Sequence, residues 1–228
     1  MKFLLDIFYL FFPNTCVCCD SNLSANEKTI CLKCRFELPV THFTALKNNP
    51  VEEIFFGRIP VAYATSLLFY KDKGISQHLI SQLKYKGNQN IGTFLGEWIG
   101  DALKHCERFP DIDYIIPVPL HPKKLKKRGY NQLTTFGESL SKILDTPYID
   151  TLLIRKSITD SQTHKSRIDR FKNVKEIFYL TDTSFLKNKH ILLIDDVITT
   201  GATIEACALE LGRTKNITIS IVTMSFTA

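Results

Sequence analysis

The chain has 228 residues, 44% hydrophobic and 23% charged, a balance that excludes a disordered or fibrous chain and fits one folded domain with a small appendage. Lys plus Arg number 29 against 23 for Asp plus Glu, a net charge of +6. That is too little for a histone-like binder and enough to point to anionic ligands.

Met1 to Phe12 is the one segment that resembles a membrane or export signal. Even fully helical it spans about 18 Å against about 30 Å of bilayer hydrocarbon. Asp6 interrupts its apolar run and Pro13 follows it, unlike a cleavable leader, so it reads as an apolar helix docked on its own chain. No other stretch approaches a spanning helix, and seven cysteines are an odd number for a secreted disulfide framework. The cytoplasm is the expected compartment.

Five cysteines follow within nineteen residues: Cys16, Cys18, Cys19, Cys31 and Cys34. Cys16-x-x-Cys19 and Cys31-x-x-Cys34 form two hooks eleven residues apart, the spacing of a tetrahedral four-thiolate zinc site that is closed and therefore structural. Cys18 is an alternative ligand, and unliganded thiols are the plain alternative to the whole site. Cys106 and Cys207 fall in helical patterns and read as small core residues.

Beyond an Asn- and Pro-rich loop at Lys47 to Pro50, Pro60 to Tyr70 reads as a strand. Two helices are expected next, one through Ile75, Leu79 and Leu83, the other through Ile91, Leu95, Trp98, Ile99 and Leu103. Between them lies the basic, aromatic corner Lys84-Tyr85-Lys86-Gly87. From Asp111 the pattern alternates: Ile112 to Val118 apolar, a helix with Leu133, Phe136, Leu140 and Ile143, then Leu152 to Ile154, Ile177 to Leu180, Ile191 to Ile194, a helix from Ala202, and Ile217 to Met224. Such alternation indicates βαβ units and an α/β fold with an open, mostly parallel sheet flanked by helices. Its ligands bind beyond the carboxyl ends of strands, which directs attention to the loops after Val118, Ile154 and Ile194.

The most informative run is Ile191 to Thr203, a buried strand that leads into Asp195 and Asp196, then Val197, Ile198, Thr199, Thr200, Gly201, Ala202 and Thr203. Two carboxylates at the end of an apolar strand require hydroxyl, amide or metal partners. Gly201 permits a tight turn, and the helix after it offers free N–H groups and a positive dipole end, a cradle of phosphate size. Together they describe a sugar phosphate. Neither a P-loop nor a G-x-G-x-x-G pattern is present.

Residues 191 to 203 resemble the phosphoribosyl pyrophosphate signature of type I phosphoribosyltransferases, and the whole chain resembles the ComF/GntX family, in which a four-cysteine knuckle precedes such a domain. Lys84-Tyr85-Lys86-Gly87 is similar to that family's lysine-tyrosine corner, and Ile116 to Pro122 with Arg128-Gly129-Tyr130-Asn131-Gln132 to its pyrophosphate-side loop. Thr159, Gln162, Arg170 and Asn173, with Lys165 and Arg167 among them, fall in what resembles its flexible loop. The resemblance implies residues 1–46 as apolar helix and zinc knuckle and 55–228 as a phosphoribosyltransferase-like domain. It implies that Asp195 and Asp196 hold the ribose and Mg²⁺, that residues Val197 to Thr203 hold the 5-phosphate, and that Lys84, Arg128, Lys123, Lys124, Lys126 and Lys127 face pyrophosphate or DNA. Gln162, Lys165, Arg167 and Arg170 would close over the site. Thr199 stands where some purine phosphoribosyltransferases carry an aspartate, and Lys165 where a leucine is usual in ComF proteins.

The expected function is phosphoribosyl transfer to an acceptor the sequence does not name, serving DNA uptake in natural competence. The alternative is an inactive fold that serves as a single-stranded DNA-binding or adaptor module with a competence-machinery partner, Tyr130 and Phe171 stacking bases among the basic side chains. His121 and His164 read as solvated loop histidines. The charge is concentrated: residues 121–130 hold five basic and no acidic side chains, and residues 155–175 seven basic and two acidic, so the remaining scaffold is acidic. Both cationic stretches are expected beside the loop of Asp195 and Asp196.

Overall fold

The computed structural model describes residues 14–156 and 177–228. The expected helix at Met1 to Phe12 and the loop residues Thr159, Gln162, His164, Lys165, Arg167, Arg170, Phe171 and Asn173 lie outside them.

Four strands form one parallel sheet in the order β1-β6-β5-β2. They are β1 (Tyr63–Phe69), β2 (Tyr114–Pro117), β5 (His190–Ile198) and β6 (Thr218–Phe226). Each coincides with an apolar run because a parallel strand is covered on both faces, and eight consecutive residues of β6 from Ile219 to Phe226 are buried. Register places Ile194 of β5 between Pro117 of β2 and Val222 of β6, so β2 stops there while β5 runs on four residues to Ile198. This is the type I phosphoribosyltransferase-like arrangement that the resemblance implied.

The helices are α1 (Leu32–Glu37), α2 (Pro50–Glu53), α3 (Ile75–Tyr85), α4 (Asn90–Lys104), α5 (Pro122–Arg128), α6 (Thr134–Leu144) and α7 (Ala202–Leu211). The closest pair is α4 against α6. Gly96 makes the approach possible: a Cβ there would stand 2.7 Å from the Phe136 carbonyl oxygen and 2.8 Å from Ser139 Cβ. Ile91, Leu95, Ile99 and Leu103 of α4 and Phe136 and Leu140 of α6 are buried, each worth about 1.5–3 kcal/mol of burial. Trp98 is half-buried at the edge of this core, where the Arg35 guanidinium of α1 lies 4.8 Å from its ring centre.

Several expectations are corrected. Strands β3 (Leu153–Lys156) and β4 (Ile177–Leu180) do not enter the parallel sheet but pair with each other antiparallel, Leu153 opposite Leu180. Burial falls off along β3 from Leu153, which is buried, through half-buried Ile154 and Arg155 to exposed Lys156, unlike the mostly buried strands of the parallel sheet. Lys123, Lys124, Lys126 and Lys127 lie on a helix rather than a loop, because Pro122 starts α5 and Gly129, at φ 83°, ends it. His121 caps that helix, its ring Nδ1 accepting from the Lys123 amide at 3.1 Å, and is not a merely solvated histidine. The loop at Lys47 to Pro50 leads directly into α2, capped by Asn49. Cys106 lies past the end of α4, its thiol donating to the Thr44 carbonyl.

Candidate functional site

β5 carries its acidic pair out of the core without ending as a strand. Ile191 to Ile194 are fully buried, Asp196 is 6% exposed, and Asp195 is half-buried. Asp195 accepts the Asp196 amide at 2.8 Å. Burial first, and then the neighbouring charge of Asp196, pushes the Asp195 carboxyl up to about 8. A buried acid pair of this kind favours a cation or a hydroxyl-bearing ligand that satisfies its oxygens.

Asp196 already has two partners. Lys84 Nζ, at the end of α3, donates to one carboxylate oxygen at 2.7 Å, and the buried Gln132 amide donates to the other. The opposite end of the same amide accepts from Arg128, and the Arg128 guanidinium lies 5.6 Å from the ring centre of Tyr85. Tyr130 donates its hydroxyl to the Leu83 carbonyl, fastening the turn after α5 to the end of α3. Three of the sequence-derived residues, Lys84, Arg128 and Asp196, therefore belong to one connected array. Lys123, Lys124, Lys126 and Lys127 stand exposed on α5 immediately before it.

The turn after β5 completes the site. Thr199 and Thr200 are exposed, Gly201 is buried with φ 73°, and α7 begins at Ala202 with no side-chain cap. Glycine is required there on two counts, since the left-handed torsion disfavours other residues and a Cβ would lie 2.6 Å from Ile54 Cγ2. The first turn of α7 starts beside the acid pair with no cap from Gly201; the Ala202 amide meets the Thr200 hydroxyl at the long distance of 3.5 Å.

The cysteine hooks converge as their spacing predicts. The sulfurs of Cys16, Cys19, Cys31 and Cys34 all lie within 4.8 Å of one another, and Cys19 is 3.7 Å from Cys31. Tetrahedral zinc with Zn–S of about 2.3 Å needs sulfurs about 3.8 Å apart, so the donor set fits a zinc ion. Backbone amides of Cys18 and Cys31 point at Cys16 Sγ from 3.4 and 3.3 Å, the polarity a thiolate requires. The Ser21 hydroxyl, 3.0 Å away, leads the contacts that lower Cys19 to about 6. Cys18 is outside the cluster, and burial pushes its thiol up to about 12. The His78 ring of α3 reaches the Val17 carbonyl at 3.0 Å, seating the cluster on that helix.

Sequence reasoning missed Gln132 as a connector, Tyr85 as an exposed ring beside Arg128, and Arg58. The Arg58 guanidinium donates to the Thr200 carbonyl at 2.8 Å and pairs with Glu205. The signal for Gln132 was present in the Arg128 to Gln132 run, whereas nothing near Arg58 marks it.

The Phosphoribosyl transferase domain family matches residues 134–224. Competence protein F of Haemophilus influenzae is 32% identical over 130 residues, covering 55% of this chain; the chain thus spans only 57% of that relative's length. DNA utilization protein YhgH of Escherichia coli O157:H7 is 28% identical over 209 residues, 88% of this chain and 86% of the relative. Competence protein ComFC of Bacillus subtilis is 25% identical over 230 residues, 89% and 91%. A phosphoribosyl transferase match over residues 134–224, similarity to competence and DNA-utilization proteins along most of the chain, and a four-cysteine cluster ahead of the sheet support a ComF-family protein.

Proposed function

We propose that this protein binds phosphoribosyl pyrophosphate at the carboxyl end of β5 and transfers its phosphoribosyl group to an acceptor, in the uptake or use of DNA. The observation that carries this reading is the continuity of Asp195 and Asp196 with the Gly201 turn and the start of α7. The carboxylates take the ribose hydroxyls, and the amides and hydroxyls of residues 199–203 take the 5-phosphate. Transfer breaks the bond from C1 to pyrophosphate, which leaves with the electron pair as the acceptor bonds to C1. Lys84 and Arg128 are the cations placed to receive that leaving charge. Asp195 and Asp196 are the residues that would hold Mg²⁺, which would supply positive charge to offset the negative charge of the departing pyrophosphate. We read residues 55–228 as the unit that does this and residues 1–46 as a module around structural zinc, in a cytoplasmic protein. In the described residues no helix is long and apolar enough to cross a membrane.

Calorimetric titration with phosphoribosyl pyrophosphate, with and without Mg²⁺, tests the reading. Binding that strengthens with Mg²⁺ and vanishes in Asp195→Asn/Asp196→Asn is expected; equal binding by the double variant sinks it.

A second reading is favoured by one observation, the four exposed lysines on a single short helix beside the site. It makes the protein a single-stranded DNA-binding or adaptor module for a competence partner. Removing the four lysines should flatten the salt dependence of single-stranded DNA affinity, and an unchanged slope counts against α5 as the contact.

A further inference from the structure

The turn that follows α2 lies behind residues 199–203, although it is about 140 positions away in sequence. Ile54 and Phe55 fill the space that a side chain at Gly201 would need. Arg58 does more than fill space. Its Nη1 donates to the carbonyls of Ile54 at 3.0 Å and Thr200 at 2.8 Å, and its Nη2 pairs with Glu205. Thr200 sits in the turn itself and Glu205 in the first turn of α7, so one planar cation joins the turn to the helix it starts.

Glu205 gives that contact an electrostatic meaning. An acid in the first turn stabilises a helix by itself but repels an anion brought to the same end. Arg58 answers both demands: it neutralises Glu205, and it holds the Thr200 carbonyl back toward Ile54. A carbonyl drawn to the rear leaves the amide side of the turn as its outward polarity. Glu205 is half-buried and Arg58 exposed, so added salt screens the pair only in part.

From this geometry we infer that Arg58 is a positioning residue for the phosphate-binding turn, setting its affinity for a phosphomonoester without touching the ligand. The inference rests on the proposed reading of residues 199–203 as the 5-phosphate site. It makes the α2–β1 connection part of that site, with Glu205 as the charge Arg58 has to cancel.

The test is calorimetric titration of the full chain with ribose 5-phosphate and, separately, with inorganic pyrophosphate plus Mg²⁺. Arg58→Ala should weaken ribose 5-phosphate about tenfold, the loss of a charge-assisted contact of about 1.4 kcal/mol, and leave pyrophosphate unchanged. Arg58→Lys should keep part of the affinity, since a point charge still neutralises Glu205 but loses the fork. Arg58→Ala/Glu205→Gln should regain affinity over Arg58→Ala, which a purely structural loss would not do. Should Arg58→Ala fold poorly, Glu205→Gln alone carries the test, with ribose 5-phosphate expected to bind more tightly than in the wild type. Equal ribose 5-phosphate affinity in wild type and Arg58→Ala, no change in Glu205→Gln, or a parallel loss of both ligands in Arg58→Ala overturns the role of Arg58. A wild type that binds pyrophosphate but not ribose 5-phosphate overturns instead the phosphate-site reading beneath it.

Discussion

Lys84 and Asp196, 112 positions apart in sequence, are joined by a 2.7 Å ion pair that is largely withdrawn from solvent. In the absence of ligand Lys84 is the counter-ion of the acid pair, and removing one partner of such a bridge leaves the other uncompensated. Lys84→Met should lower the stability of the ligand-free protein by about 2 kcal/mol. Urea unfolding at constant m-value checks this; an unchanged midpoint would show the pair to be energetically idle.

Asp195 should make the ligand-free protein less stable as pH rises. Its carboxyl, near 3.8 in a free chain, is raised to about 8 by burial and Asp196. The unfolded chain therefore gives up this proton first, and the group's stabilising effect, full below pH 3.8, is lost as pH climbs toward 8. Asp195→Asn should remove that slope and raise Tm at pH 8 by about 2–4 °C for each 1 kcal/mol relieved, while abolishing sugar-phosphate binding. A melting temperature equal to wild type at pH 8 refutes the account.

The acid limb belongs to other groups, at the far end of β5. His190 lies with its ring nitrogens 3.1 Å from the Pro110 carbonyl and 2.8 Å from the Ser220 hydroxyl, and burial lowers its pKa below 6.5. Against the opposing effect of burial, the His190 amide and the Lys189 ammonium hold the Asp113 carboxyl below 3.8. Both depressed groups favour the fold at high pH and withdraw that support on acidification, His190 first, below pH 6.5, and Asp113 below pH 3.8. Thermal melts of His190→Gln should lack the fall in stability below pH 6.5 that is expected of the wild type; an identical pH profile in the two proteins refutes the assignment.

Metal removal should be felt as unfolding of the cysteine module. Purified protein is expected to carry one zinc per chain by elemental analysis, and Cys34→Ser to lose it with a clear fall in Tm. Cys18→Ser should keep its metal, because that sulfur lies outside the four-sulfur cluster. Loss of zinc from the Cys18 variant would reassign the ligand set.

Gly96→Ala should destabilise the protein by about 1–3 kcal/mol through overpacking between α4 and α6. Its new methyl would meet the Phe136 backbone, which cannot swing aside. A variant of wild-type stability, measured by chemical denaturation, would mean the two helices can part.

What could be read from sequence was what is local in it. Asp195 to Thr203 is contiguous, so strand, acid pair, glycine turn and helix announce one another; the cysteine hooks do the same. The parallel strands were legible as apolar runs, but β3 and β4 give the same short runs, and periodicity carries no strand direction. Helix α5 has a single apolar residue, Leu125, and so no periodic face, although Pro122 and Gly129 mark its two ends. Gln132 meets Asp196 across 64 positions and Arg58 meets Thr200 across 142, contacts made only when the sheet closes.

Helix α3 has one feature whose reach extends past its own length. Near its start His78 holds the cysteine module at Val17, and at its end Lys84 grips Asp196. From His78 to Lys84 the helix rises about 9 Å, a stiff strut between the cysteine cluster and the acid pair. Because one rigid element touches both places, stripping zinc from the cysteine cluster is expected to weaken the sugar-phosphate binding proposed for the acid pair, and by reciprocity that ligand should raise the affinity for zinc.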